Sequence, residues 1–415
     1  MESGWAGGER FGTGRRIRSS TVVRVFLAAV LGAVLAACGG STQAGQTGTQ
    51  GGQNDPIKVG TIQTASGAFG QQIFLTVSTM WENWINANGG INGHPVKLYT
   101  LDDGTDPARA LSDTKELIDQ DGVVAIIGSN STGASAIQKY AASKGVPIIG
   151  GVTAQTVPAP LSFPAGTSLE YLVKGYLSTA KTAGLTKFGA FTCVESAACT
   201  SSVTALQSAA PSLGVQLVDT EKVSSTAPDY TAPCLSMIKS GAQAVAYGTS
   251  PQIAVKIIQT CLQQGATFAT VVNAGTALPA WANIPALHGS KVYIVNEVWP
   301  LSQKDTPAQQ QFFQAADKYA PGMLTSPEMS AYVQQAWVGM QMFATVAKAG
   351  QIGPTSTAAD LIKALYTVRD ETLGGLTGPT TYTEGATQVN KCYFVTLLEN
   401  GSYTSPFGAA PQCAA

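Results

Sequence analysis

From Ile57 onward, short apolar runs alternate with longer segments whose apolar residues recur at helical spacing, so the chain reads strand, helix, strand, helix. Ile57–Ile62 predicts a strand, and the glycine turn Ser66-Gly67-Ala68-Phe69-Gly70 leads to a helix from Gln71 to Asn88 that Gly89-Gly90 ends. Pro95–Leu101 predicts the next strand, closed by Asp102-Asp103. Asp106-Pro107 opens a helix over 108–120, because proline's fixed φ suits a first helical turn. Val123–Gly128, Ser131–Lys144 and Val146–Ile149 continue as strand, helix and strand.

After a proline-rich joint, Pro158–Pro164, the rhythm restarts. Helices are predicted at Leu169–Ala183, Ser201–Leu213, Tyr230–Ser240 and Gln252–Gln264, and strands at Phe188–Phe191, Val215–Leu217, Ala242–Tyr247, Val271–Asn273 and Lys291–Val295. A long helical run, Glu328–Ala349, and a helix at Thr357–Tyr366 follow, then strands between Tyr382 and Tyr403. Such alternation predicts α/β architecture with parallel sheets covered on both faces. About 360 residues beyond Asn54 exceed one core and suit two Rossmann-like lobes.

The first residues are of another kind. Arg10, Arg15, Arg16, Arg18 and Arg24 precede an apolar run from Val25 to Leu35, too short to span a bilayer, which takes roughly 20 apolar residues. A basic segment, a short apolar one and small residues make a secretory signal. Leu35-Ala36-Ala37-Cys38 resembles the lipobox of bacterial lipoproteins, which implies cleavage before Cys38 and acylation of it. Gly39–Asn54 is uncharged and nearly free of apolar residues, so it is expected to act as a flexible tether. The expected location is the extracytoplasmic face of a bacterial cell membrane, held there by lipid.

Residues 1–37 hold five of the 24 basic and two of the 25 acidic residues, leaving nineteen against twenty-three. No basic face for nucleic acid is implied. The two histidines, His94 and His288, have no metal-ligand neighbours at useful spacing, so neither metal nor cofactor is expected. Setting Cys38 aside leaves six cysteines, an even number for an oxidising compartment. Nearest-neighbour pairing is expected: Cys193–Cys199, Cys234–Cys261 and Cys392–Cys413. The middle pair has a physical basis, since Cys234 and Cys261 lie on the helices flanking one predicted strand, which can sit side by side on one face of a parallel sheet.

Several motifs carry a resemblance. Ile57-Lys58-Val59-Gly60 with Ser66-Gly67, the run Trp84 to Gly93 with its N-G-G-I-N-G, and Leu101-Asp102-Asp103 through Asp106-Pro107 resemble the type I periplasmic binding proteins, the branched-chain amino-acid-binding family in particular. The resemblance is strong to about Gly150 and looser afterwards. It implies two lobes joined by three hinge strands that close on a small-molecule ligand, a monomer, and an ABC permease as membrane partner. It divides the chain into a signal peptide (1–37), a tether (38–55), a first lobe (56–168 with 300–372) and a second (169–299 with 373–415).

In parallel α/β sheets ligands sit at the carboxyl ends of strands, where turns and helix N-termini present N–H groups. Two such turns, Gly128–Thr132 and Gly150–Ala154, match where the family holds a carboxylate, which implies ligand contacts at Ser131, Thr132, Val152, Thr153 and Ala154. The plainer role of those hydroxyls is helix capping. Phe69 and Tyr332 match aromatics that pack on the ligand; the alternative is packing between lobes. The second lobe departs from the family. Its ammonium-binding Glu falls at Ala274, beside Asn273, one of its tyrosines near Ala197 and Ala198 in the Cys193–Cys199 loop, and another at Ser250. Glu297, before Trp299, is the one acid placed to substitute, although a solvated hinge residue is its plainer reading.

A solute-binding protein for transport is therefore the leading expectation, with an extracellular sensor feeding a receptor as the alternative on the same fold. A hydrolase would need a G-x-S-x-G elbow, and Ser129 rather than glycine stands two residues before Ser131. Asp102-Asp103 is no catalytic pair, since adjacent residues at a strand end point to opposite sides. Neither an enzyme nor any catalytic residue is expected.

Overall fold

The computed structural model describes residues 55–414 apart from 68, 69, 157, 158 and 196; the side chains of 156 and 197–201 also lie outside it. Cys38, the signal segment, most of the tether and Phe69 are therefore outside the described residues. In the first lobe β1 (Ile57–Gln63), β2 (Val96–Asp102), β3 (Ile126–Ile127), β4 (Ile148–Ile149) and β5 (Ser162–Phe163) form a parallel sheet in the order β2-β1-β3-β4-β5. The connecting helices are α1 (Ile73–Ala87), α2 (Pro107–Lys115), α3 (Ala134–Ser143) and the short α4 (Gly151–Thr156). β1 is buried at every position but Lys58, as a strand covered on both faces must be.

The second lobe repeats the design. Helix α5 (Leu169–Thr182) leads to β6 (Lys187–Cys193), and α6 (Ala197–Ala209), β7 (Gln216–Val223), α7 (Thr231–Lys239), β8 (Ala244–Gly248), α8 (Pro251–Gln263), β9 (Ala269–Asn273) and β10 (Val292–Asn296) follow. The strands from β7 to β10 are parallel, in the order β10-β9-β8-β6-β7. The chain then supplies α9 (Pro307–Tyr319), α10 (Ala331–Ala349) and α11 (Ala358–Leu365), which pack in the same core as β1 and α1. It ends in β11 (Cys392–Glu399), β12 (Ser402–Thr404) and β13 (Gln412–Cys413), added antiparallel beyond β10.

Helix α10 comes close to the first sheet because two glycines meet. A Cβ on Gly339 would stand 2.8 Å from the Gly150 Cα, so neither position admits a side chain without parting helix and turn. That contact sets Gly150 and the start of α4 against α10, the helix that carries Tyr332.

Three crossings join the lobes, and buried polar groups bind them together. Thr167 N–H donates to the Glu297 carbonyl at 2.9 Å, and its hydroxyl donates to the Cys392 carbonyl. Ser168 and Asn390 exchange two bonds, each 2.9 Å. Thr377 donates to the Ala165 carbonyl and Tyr382 to that of Pro164. Leu376 and Tyr382 pack in the first lobe's core.

Cys234 and Cys261 form a disulfide that ties α7 to α8, and Cys392 bonds Cys413 across β11 and β13. Cys193 is disulfide-bonded too, while the Cys199 side chain lies outside the described residues. The Cys234–Cys261 bridge closes 27 residues of chain. Chain entropy assigns such a loop roughly 3 kcal/mol. The double variant Cys234→Ala/Cys261→Ala should lose about that much in urea unfolding; an unchanged midpoint would show that the bridge does not restrain the unfolded chain.

Candidate functional site

Residues just beyond the carboxyl ends of strands in both sheets meet at Tyr332, whose carbonyl accepts from Asn130 and whose ring rests on Gly275. In the first lobe the turns after β1, β2, β3 and β4 are locked by short side chains. Asp103, fully buried, accepts hydrogen bonds from the Thr64 hydroxyl at 2.8 Å, the Thr105 N–H at 2.9 Å and the Ser131 hydroxyl. Its neighbour Asp102 turns the other way and accepts from Ala65 and Ser66 N–H and the Ser66 hydroxyl. Burial works against its ionisation, yet the bonds from Ser66, Gly104 and Ala65 outweigh it and leave its carboxyl below the usual value.

The hydroxyls expected to meet a ligand are largely committed inside this lobe. Ser131 donates to Asp103 and accepts from Gly133 N–H at 2.9 Å, a bond within the turn that precedes α3 rather than a cap on it. Thr153 donates to Ser129 at 3.1 Å and accepts from Ser131 N–H at 3.3 Å. Thr132 is exposed, with its N–H on the Thr64 hydroxyl at 3.0 Å. Val152 donates its N–H to Asn130 at 3.0 Å, and Ala154 is buried. The polar groups order the turns, and of these five residues only Thr132 is exposed and Val152 half-buried.

In the second lobe a cavity of about 320 Å³ opens at the carboxyl ends of β6, β8 and β9. Leu172, Val173, Phe191 and Tyr247 make much of its wall, with Ser250 and Asn273 at polar positions. Phe191 and Tyr247 pack with ring centroids 5.4 Å apart. Ser250 is exposed and precedes α8, and Ala274 is buried.

Between the lobes, Asn273, Glu297, Tyr332 and Tyr176 converge. The Asn273 amide donates to one Glu297 oxygen at 3.3 Å, and its own oxygen accepts from the Thr276 hydroxyl at 2.7 Å. Tyr332 reaches from the first residues of α10 onto Gly275, where a Cβ would stand 2.4 Å from its ring and hydroxyl, so a first-lobe aromatic seats directly on second-lobe backbone. It therefore packs between the lobes. Its carbonyl also accepts from Asn130, tying it to the turn after β3.

Glu297 is buried, 5 % exposed, not a solvated hinge residue. Its second carboxyl oxygen has no hydrogen-bond partner. Burial pushes its pKa up to about 7, against the pull of its own backbone N–H and the Asn273 amide. Burial likewise lifts the Tyr332 phenol to about 12, with the Glu297 charge adding to it, and the Tyr176 phenol is raised for the same two reasons. Tyr176, from the middle of α5, and the buried Gln155 amide, whose nitrogen is also unpartnered, were not foreseen from the sequence. Nothing in the local pattern around either residue marks it.

Two α/β lobes, three crossings and a polar cluster at their meeting line define a two-lobed ligand-binding protein. The chain matches the model of the periplasmic binding protein family over residues 56–402 and belongs to that family. Its members bind solutes outside the cytoplasm rather than transform them. Among solved structures, it is similar to a branched-chain amino acid ABC transporter protein from Thermus thermophilus with bound valine (TM-score 0.73, 14 % identity, 87 % of this chain and 97 % of that one). It is also similar to the leucine-binding protein LivK of Thermotoga maritima (TM-score 0.64, 17 % identity, 84 % and 97 %) and to a solute-binding protein of R. palustris in complex with benzoate (TM-score 0.65, 18 % identity, 87 % and 98 %). A curated amino acid binding protein of Pseudomonas aeruginosa is 41 % identical over 64 residues, 15 % of this chain and only 17 % of that relative's length. No helix among the described residues is long and apolar enough to cross a membrane.

The buried acid has a thermodynamic signature. Its folded pKa of about 7 lies above the ordinary 4.5. The native state thus keeps a proton that the unfolded chain releases, and stability falls as pH rises through that window, then levels off above it. The loss amounts to about 3 kcal/mol. Glu297→Gln should match the native protein at pH 5 and exceed it by about that amount at pH 8 in urea unfolding; parallel stability curves for the two proteins would contradict the buried, unpaired carboxyl.

Proposed function

We propose that this protein is the lipid-anchored substrate-binding component of an ABC importer, closing two lobes on a small solute that bears a carboxylate or amide oxygen and no free α-ammonium. The single observation carrying the ligand class is the composition of the second lobe's half of the site. Ala274 follows Asn273 where the family's ammonium-binding Glu is expected, and the cavity beside it is walled by Leu172, Val173, Phe191 and Tyr247. A buried ammonium without a carboxylate partner costs several kcal/mol. An apolar body with a polar oxygen suits the same wall, and one structural relative is described in complex with benzoate.

Branched-chain amino acids are the second reading. Glu297, within hydrogen-bond distance of Asn273, is the observation that favours it, and another relative carries bound valine. A thermal-shift panel of amino acids, their deaminated analogues, aromatic acids and short amides separates the two. A ligand at about 100 times its dissociation constant adds roughly 2.7 kcal/mol, enough to move the midpoint by several degrees. Deaminated or aromatic acids, or amides, should stabilise the protein; stabilisation by leucine or valine with every deaminated analogue inert would select the second reading.

The anchor rests on the Leu35-Ala36-Ala37-Cys38 lipobox and the tether after it. Cys38→Ala should move the protein from the membrane fraction to the soluble one in a lipoprotein-processing host. Retention as firm as that of the native protein would place the anchor elsewhere.

A further inference from the structure

Glu297 raises a question that solute binding alone does not answer. A carboxyl group sits at the line where the lobes meet, and one of its oxygens has no partner. Among the described residues, the side chains set against it are neutral: the Asn273 amide from β9, the Tyr176 phenol from α5 and the Tyr332 phenol from α10. From the other crossings come Thr167, bonded to the Glu297 carbonyl, and Gly166, against which that carbonyl and the Gln155 amide nitrogen both close. None of the four ion pairs among the described residues involves Glu297, and His94 and His288 lie elsewhere, beside Gly353 and Gly401. Asn273 and Tyr176 also line the second-lobe cavity, and the carboxyl stands behind Asn273, which bonds it at 3.3 Å.

A carboxylate with no cation and an empty acceptor site is an expensive thing to bury. The same group, protonated, is a neutral donor with one hydrogen to give, and buried carboxylic acids serve other proteins in that form. From this geometry we propose that Glu297 binds the solute as a neutral acid, donating its O–H to a solute oxygen, so that each binding event requires one proton on the protein. The idea rests on the ligand class proposed above. It adds a specificity residue at the hinge and a direction of pH dependence.

The consequences have a definite sign. An ammonium ligand would need the ionised carboxylate, and its affinity would rise with pH. A carboxylate or amide that accepts from Glu297 binds more weakly as the proton is lost, and an anionic ligand resists that loss further. The free group titrates at about 7, and the neighbouring phenols titrate far higher. Between pH 6 and 9 Glu297 is therefore the group of this cluster that changes charge.

The test is isothermal titration of the full mature chain with three probes, benzoate, 4-methylpentanoate and L-leucine, at pH 6 to 9 in two buffers of different ionisation enthalpy. At least one of the two acids should bind with an affinity that falls roughly a hundredfold from pH 6 to 9 and with uptake of about one proton at pH 8. Glu297→Gln keeps an N–H donor at every pH, so it should bind the same acid with a flat profile, and Glu297→Ala should bind it more weakly at pH 6. An acid that binds with a flat or rising profile in the native protein overturns the proton requirement while leaving the ligand class standing. Binding of leucine alone, or of none of the three by a protein that short amides also fail to stabilise, overturns the ligand class and this proposal together. An amide that binds in their place should show the same fall in affinity with pH if the proton requirement holds.

Discussion

The lobes are held in register by a small set of buried hydrogen bonds at the crossings, and the site depends on them. Thr167 alone binds two other crossings, through its N–H to the Glu297 carbonyl and its hydroxyl to the Cys392 carbonyl. Ser168 and Asn390 repeat the link, and Asn390 reaches Thr380 as well. Each of these groups, left unpaired in the interior, would cost about 1–3 kcal/mol. These bonds tie the crossings to one another where the two lobes join. Glu297 belongs to this network through its backbone and to the candidate site through its side chain, so whatever changes its side chain is felt where the lobes pivot.

Around that hinge the two halves of the site are built differently. The first lobe spends its polar side chains on its own turns: Asp103 gathers Thr64, Thr105 and Ser131, and Thr153 joins Ser129. Such committed groups fix backbone positions before any ligand arrives, which lowers the ordering cost of binding. The second lobe offers an apolar wall with Asn273 at its edge. One half is a polar frame bonded within itself and the other an apolar wall, with Tyr332 bridging them by resting on Gly275.

Much of the fold is legible because both faces of each sheet are covered, which makes strands such as Ile57–Gln63 continuous apolar runs between amphipathic helices. Helix α9 escaped that reading, although Thr306, Pro307 and Gln309 form a capping box with proline in the first turn, a signal that could have found it. Helix α4 also escaped, since Gly150-Gly151 looks like a turn and only the close approach of Gly339 shows why a short helix fits there. At the site the limits are different. Ser131 and Thr153 were recognisable as polar groups at strand ends, but their partners Asp103 and Ser129 come from the turns after β2 and β3, and such long-range pairings leave no local mark. Glu297 stood out because acids near the hinge are scarce, whereas its burial depends on four separate segments closing over it.

In the function proposed above, a solute is held between the turns of the first lobe and the apolar wall of the second, against the hinge. A crystal structure of the mature protein grown with its most stabilising solute tests it most directly. The account predicts density between the Gly128–Thr132 and Gly150–Ala154 turns and Asn273, with an oxygen of the solute beside the free oxygen of Glu297. Density in another cavity, such as the one formed by Pro279, Leu301 and Tyr403, with this cleft empty, would contradict it.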